Sequence, residues 1–172
     1  INSLRTFGVG GSGGHNDFGQ KGIDIMMDIM SNDMITLESN TGWFMRNYNY
    51  TGRIQESSVT GVVWNYYYEI IKGSNQTIGL IGNLPADALT QELKYVLARA
   101  KATRGYSYLS LIQIYQKGNP ALSDQGVPII DPTADIINGP GFGRQTVEDV
   151  YTQIGKDLTE SYDELSGYAR PD

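Results

Sequence analysis

Apolar residues recur along this chain at three- and four-residue spacing, and four stretches hold that rhythm long enough to predict helices. The first runs from Gly22 to Met34, where Ile23, Met26, Met27 and Met30 share a face while Asp24 and Asp28 lie elsewhere. Ser31-Asn32-Asp33 reads as its carboxyl-terminal punctuation. The second spans Glu56 to about Gly73, with Val59, Val63, Tyr66, Tyr67, Ile70 and Ile71 on one stripe that Val62 and Trp64 widen. Ser74 to Gly82 either continues that helix or forms a turn.

The third predicted helix is the longest. It opens at Pro85, because a proline in the first turn needs no amide partner. Leu89, Leu93, Val96, Leu97, Ala100, Tyr108, Leu111, Ile112 and Tyr115 keep one face apolar almost to Lys117, and Gly118-Asn119-Pro120 ends it. The fourth begins after Thr146, an N-cap with Glu148 and Asp149 in the first turn, where the helix dipole favours carboxylates. Val147, Val150, Tyr151, Ile154, Leu158, Tyr162 and Leu165 follow on one stripe.

Between these stretches lie loops. Gly8 to Gly14 is flexible by composition, residues 36 to 55 are polar and aromatic without a period, and residues 118 to 145 are rich in proline and glycine. The fold class predicted is all-α: a tetratricopeptide-like helical array with long loops, each helix pair burying its face on the next. The run Ala98, Ala100, Ala102, Gly105 suits close helix contacts. Ile1 follows no leader and Arg170-Pro171-Asp172 closes no element. Residues 1–172 therefore read as one helical domain cut from a larger α-rich protein.

Charge narrows the function. The formal net charge of -6 sets the chain against phosphate backbones, so no nucleic acid is expected as a partner. No run approaches the roughly 18 apolar residues that span a bilayer. The absence of cysteine removes disulfides, thiolate nucleophiles and cysteine metal sites.

Little catalytic chemistry is on offer. Gly10-Gly11-Ser12-Gly13-Gly14 has the letters of a nucleophile elbow, but no strand pattern precedes it and the only histidine, His15, follows three residues later. The Gly-Lys-Ser/Thr ending of a phosphate loop is missing. A lone histidine does not make a zinc site, and Asp24, Asp28 and Asp33 follow no calcium-loop spacing. No catalytic residue, metal or cofactor is expected.

The aromatic residues offer more. There are 12 tyrosines, and Trp43, Phe44, Tyr48 and Tyr50 share one loop with Asn40, Asn47 and Asn49. Flat rings stack on the apolar faces of sugars, and amides meet sugar hydroxyls. Two readings fit equally: a sugar platform, or rings folded inward as loop anchors. Trp64, Tyr66, Tyr67, Tyr106, Tyr108 and Tyr115 sit on helical stripes and read as core.

A family resemblance then appears. Arg99 to Tyr115 (Arg-Ala-Lys-Ala-Thr-Arg-Gly-Tyr-Ser-Tyr-Leu-Ser-Leu-Ile-Gln-Ile-Tyr) resembles the aromatic-rich helix of the SusD/RagB family, and Gly126-Val127-Pro128-Ile129 is similar to the turn that follows it there. Arg144-Gln145-Thr146-Val147-Glu148-Asp149-Val150-Tyr151, with Ile154, Asp157-Leu158 and Leu165, resembles a later helix start; Trp64 to Ile71 followed by Asn75 resembles an earlier one. All keep the family's order.

The resemblance implies the amino-terminal helical portion of an outer-membrane lipoprotein of Bacteroidetes-type bacteria. Such a protein is surface-exposed and lipid-anchored, with the anchor and much of the ligand face outside this chain. It captures glycan reversibly, without covalent chemistry, and passes it to a TonB-dependent, SusC-like transporter. In this chain Trp43, Phe44, Asn47, Tyr48 and Tyr50 are the candidate ligand-binding residues. The competing reading is a helical-repeat scaffold that binds a protein and no glycan.

Overall fold

A computed structural model of the protein describes residues 17–31, 33–35, 43–133 and 141–168. Ser12, His15, Asn40 and the glycine-rich run lie outside these residues. The chain divides into two compact units, residues 1–69 and 70–172. Among the described residues the regular elements are α1 (Gln20–Met30), α2 (Met45–Tyr48), α3 (Ser58–Gly82), a 3-10 turn (Ala86–Ala88), α4 (Gln91–Tyr115) and α5 (Val147–Leu165). The only strand-like pairing among them is an isolated bridge between Gln125 and Thr146. The predicted all-α class is the observed one.

In the first unit, α1 buries Ile23 and Met26 of the predicted face together with Ile29, while Met27 and Met30 are half-buried. It stops at Met30, four residues early, because Ser31 closes it: the Ser31 N–H donates to Met27 O, and its hydroxyl donates to Asp28 O. Val62, Val63, Tyr66 and Tyr67 of α3 are buried, with the last two rings edge to face at 5.1 Å. Tyr67 extends its hydroxyl to Gln20 Oε1 at 3.1 Å. The predicted loop over residues 36–55 contains α2, one helical turn started where the Phe44 carbonyl accepts the N–H groups of Asn47 and Tyr48.

In the second unit, Ser74 to Gly82 continues α3 and makes no turn. Asparagine weakens helices when its side chain competes for nearby backbone. Here the Asn75 side chain is spent on distant partners, Ile130 O and Arg104, so the helix runs on through it. Pro85 does not open the long helix. Its ψ of 151° is extended, the 3-10 turn follows, and α4 starts only at Gln91. The stronger signal is Thr90, whose Oγ1 accepts the Leu93 N–H. Thr146 caps α5 as predicted, in a full capping box with Asp149.

Helices α4 and α5 pack antiparallel. Contacts run in reverse order along the pair: Gln91 to Glu164, Ala98 O to the Ser161 hydroxyl, Lys101 to Glu160, Arg104 to Asp157. Gly105 permits the close approach, since a Cβ there would lie 3.2 Å from Asp157 Cβ and from Leu158. Tyr108, Leu111 and Ile112 of α4 and Val150 and Ile154 of α5 are buried as predicted. Val96 and Tyr106 of α4 are exposed, Tyr106 against the core reading; Tyr151, Leu158 and Tyr162 are exposed because the inward stripe of α5 is narrow and gives two of its places, Asp157 and Ser161, to polar residues. Gly105→Val should lower the unfolding free energy by about 1–3 kcal/mol through overpacking, measurable by urea denaturation.

Candidate functional site

The aromatic segment sits wholly in the first unit. Trp43 is 47% exposed. Phe44, with a left-handed φ of 60°, precedes α2 and sets its ring edge-on to Phe18, 6.3 Å between centroids. Asn47 is 3% exposed, and its Nδ2 has no partner among the described residues. Tyr48 is half-buried. Tyr50, at φ 57°, is 42% exposed; its hydroxyl donates to Met30 O at 2.8 Å.

The structure divides the five candidates between the two readings. Phe44 and Asn47 turn inward, while Trp43 and Tyr50 face solvent. Sequence alone missed Arg53, whose guanidinium carbon lies 4.2 Å from the Tyr50 ring centroid. An arginine three residues after a tyrosine across a glycine turn was the available signal. The segment is braced from behind: Gly52 N–H donates to Arg46 O, the Thr60 hydroxyl to Gly52 O, and Arg46 to Ser57 Oγ.

A second surface lies in the other unit. A groove of about 830 Å³ runs along α4, α5 and residues 129–132, lined by Lys101, Tyr108, Ile130, Gln145, Gln153 and Lys156 among others. Its carboxylates are already engaged. Asp149 completes the α5 cap, Asp131 accepts the Thr133 hydroxyl and N–H, and Glu160 accepts from Lys101. The Thr133 hydroxyl lowers the Asp131 pKa, and the Lys101 bond lowers that of Glu160. The one ring lining it among the described residues, Tyr108, is fully buried and uses its hydroxyl to accept the Ile130 N–H. Among the described residues, the groove therefore has mixed polar and aliphatic walls and no open aromatic platform.

Beneath it runs a buried network. Arg104 donates through Nε and Nη2 to the two Asp157 oxygens at 2.8 and 2.7 Å, and through Nη1 to Asn75 Oδ1 at 2.8 Å. The Asn75 amide donates onward to Ile130 O at 2.9 Å. Arg144 clips the neighbouring segment by donating to Gly126 O, Gln125 O and Tyr115 O. Asn75, Arg104, Gly126, Arg144 and Asp157 all fall in the stretches that carried the family resemblance. Their work is to hold the fold. The sequence signal was opposite charges on the inward stripes of two helices.

The described architecture is an all-α scaffold whose buried ion pair and its hydrogen-bonded neighbours are closed on themselves, and whose aromatic segment carries exposed rings. Residues 18–169 match the SusD-like family described as starch-binding and associating with the outer membrane, and the chain belongs to that family. It is also similar to the crystal structure of a presumed sugar-binding protein from Bacteroides vulgatus ATCC 8482, at 29% identity and a TM-score of 0.59. That match covers 77% of this chain but only 29% of the other, so this chain spans less than a third of that protein's length. No curated protein matches the chain. Among the described residues, no helix is long and apolar enough to cross a membrane.

Two outcomes follow for the buried network. Asp157→Leu should cost about 3–5 kcal/mol by leaving Arg104 charged and unpaired, and adding Arg104→Met should recover much of it in urea denaturation. Burial pushes the Tyr108 pKa from 10.0 up to about 12. The folded form thus keeps a proton that the unfolded form loses. Stability present below pH 10 should fall by about 2 kcal/mol as pH rises to 12, and the fall should shrink in Tyr108→Phe.

Proposed function

We propose that this chain binds oligosaccharide at the bacterial cell surface, and that the full-length protein delivers it to a TonB-dependent, SusC-like transporter in the outer membrane. The observation that carries the reading is an exposed indole, Trp43, a few residues from the solvent-facing Tyr50 ring, which is itself anchored to Met30 O and backed by Arg53. Rings fixed in this way can stack on the apolar face of a sugar with little ordering cost. Phe44, Asn47 and Tyr48 belong to the same segment and are less exposed than these two rings.

Membership in a family described as starch-binding and associating with the outer membrane supports the ligand class and the location. The presumed sugar-binding neighbour supports the ligand class too. In this reading capture is reversible, and the chain makes and breaks no covalent bond. The lipid anchor belongs to the longer protein. Tyr106, Tyr151, Leu158 and Tyr162, exposed on α4 and α5, supply an apolar flank suited to a protein partner such as the transporter.

Affinity-gel electrophoresis against a panel of glycans tests this. Trp43→Ala should weaken retention by about tenfold, the equivalent of one stacking contact. Retention unchanged by the substitution would remove the segment from the site. Retention by no glycan at all would favour a helical scaffold for a protein partner.

A further inference from the structure

We infer that the Trp43–Arg53 segment selects acidic oligosaccharides, whose sugar units carry carboxylates; the inference rests on the proposal above that this segment is the sugar site. Charge is distributed unevenly along the chain. Acidic residues outnumber basic ones, 19 to 13, yet residues 39–55 hold two arginines and no aspartate or glutamate. A chain with net charge -6 repels an anionic ligand in general. A local pair of cations that meets no carboxylate among the described residues reverses that at one place.

Arg46 and Arg53 have that character. Among the described residues, no carboxylate lies within ion-pairing distance of either guanidinium. The acidic residues on or beside the described elements that meet this segment are Asp17, Asp24, Asp28 and Asp33 around α1, and Glu56 and Glu69 before and within α3. Asp33 accepts the Ser31 hydroxyl at 2.7 Å. Arg46 is steadied by Ser57 Oγ at 3.2 Å. Arg53 lies over the Tyr50 ring, and Tyr50 is pinned by its hydroxyl to Met30 O.

Stacking fixes a guanidinium by its face and leaves its edge N–H donors pointing outward. That edge matches the two oxygens of a planar carboxylate in a bidentate contact. A neutral sugar would need only the ring platform. A fixed, uncompensated guanidinium beside the platform adds a contact that only a charged sugar uses in full.

Oligogalacturonides supply matched probes, since the free acid and its methyl ester share one ring system and differ in charge. Isothermal titration of the chain at low ionic strength should show the free acid binding about tenfold or more tightly than the ester, as one charge-assisted contact implies. The preference should shrink in high salt. Arg53→Gln, an exposed substitution, should bring the two ligands to equal affinity while circular dichroism stays unchanged.

Equal binding of acid and ester to the unsubstituted chain would overturn the charge selection, as would a preference that survives in the Arg53→Gln, Arg46→Gln double variant. Binding of neither probe would overturn it also. Trp43→Ala separates the two layers. If it weakens binding of both forms where no acid preference exists, the site stands and only the selection falls. If it weakens neither, the site itself falls.

Discussion

The pairing of Arg104 with Asp157 is the interaction on which the second unit depends. Removing two charges from water costs several kcal/mol for each, and the attraction between them offsets this only if every donor and acceptor is satisfied. Here the guanidinium meets both carboxylate oxygens and spends a third nitrogen on Asn75. Asn75 passes the constraint to the Ile130 carbonyl, and the Ile130 N–H meets Tyr108. One ion pair thereby ties α3, α4, α5 and the 126–132 segment together. It also fixes register. Sliding α5 by one turn would strand both charges and push its side chains into the space that Gly105 leaves open.

Much of this fold was legible in the sequence. Apolar periodicity marked the helices, and Thr146 with Asp149 marked a start that the structure keeps in detail. Tertiary partners decided where local preference was open or misleading. Asn75 carries α3 through a stretch that the sequence left open between helix and turn, because its side chain is engaged far away. Pro85 signals a helix start, but the cap that starts α4 is Thr90, five residues on. The exposed stretch of α5 was hidden for another reason: periodicity reports a stripe, not its width, so Leu158 and Tyr162 looked like core.

The candidate site was less legible. Rings in a segment without a period carry no information about which way they face, so Phe44 and Trp43 are equivalent in sequence and differ only in the fold. Arg53 was overlooked because its part depends on a ring three residues away across a turn. The stretches that carried the resemblance contain arginines, asparagine and aspartate of the kind that bind ligands elsewhere. In this chain they close on one another. A resemblance concentrated in such residues informs about architecture, and ligand preference has to be sought where the chain faces solvent.

Phe44 and Tyr50 both hold left-handed backbone at φ 60° and 57°, a conformation that bulky side chains resist. The packing of Phe44 on Phe18 and the bond from Tyr50 to Met30 hold them there. The strain is met once, when the chain folds, and is not charged again at each encounter. If this segment receives the ligand as proposed, capture would not have to wait for the rings to find their places. The loss of conformational freedom that usually weakens a shallow, open surface would already lie in the past. Such a surface can release its ligand as readily as it takes it, which suits the capture and handing-on proposed above.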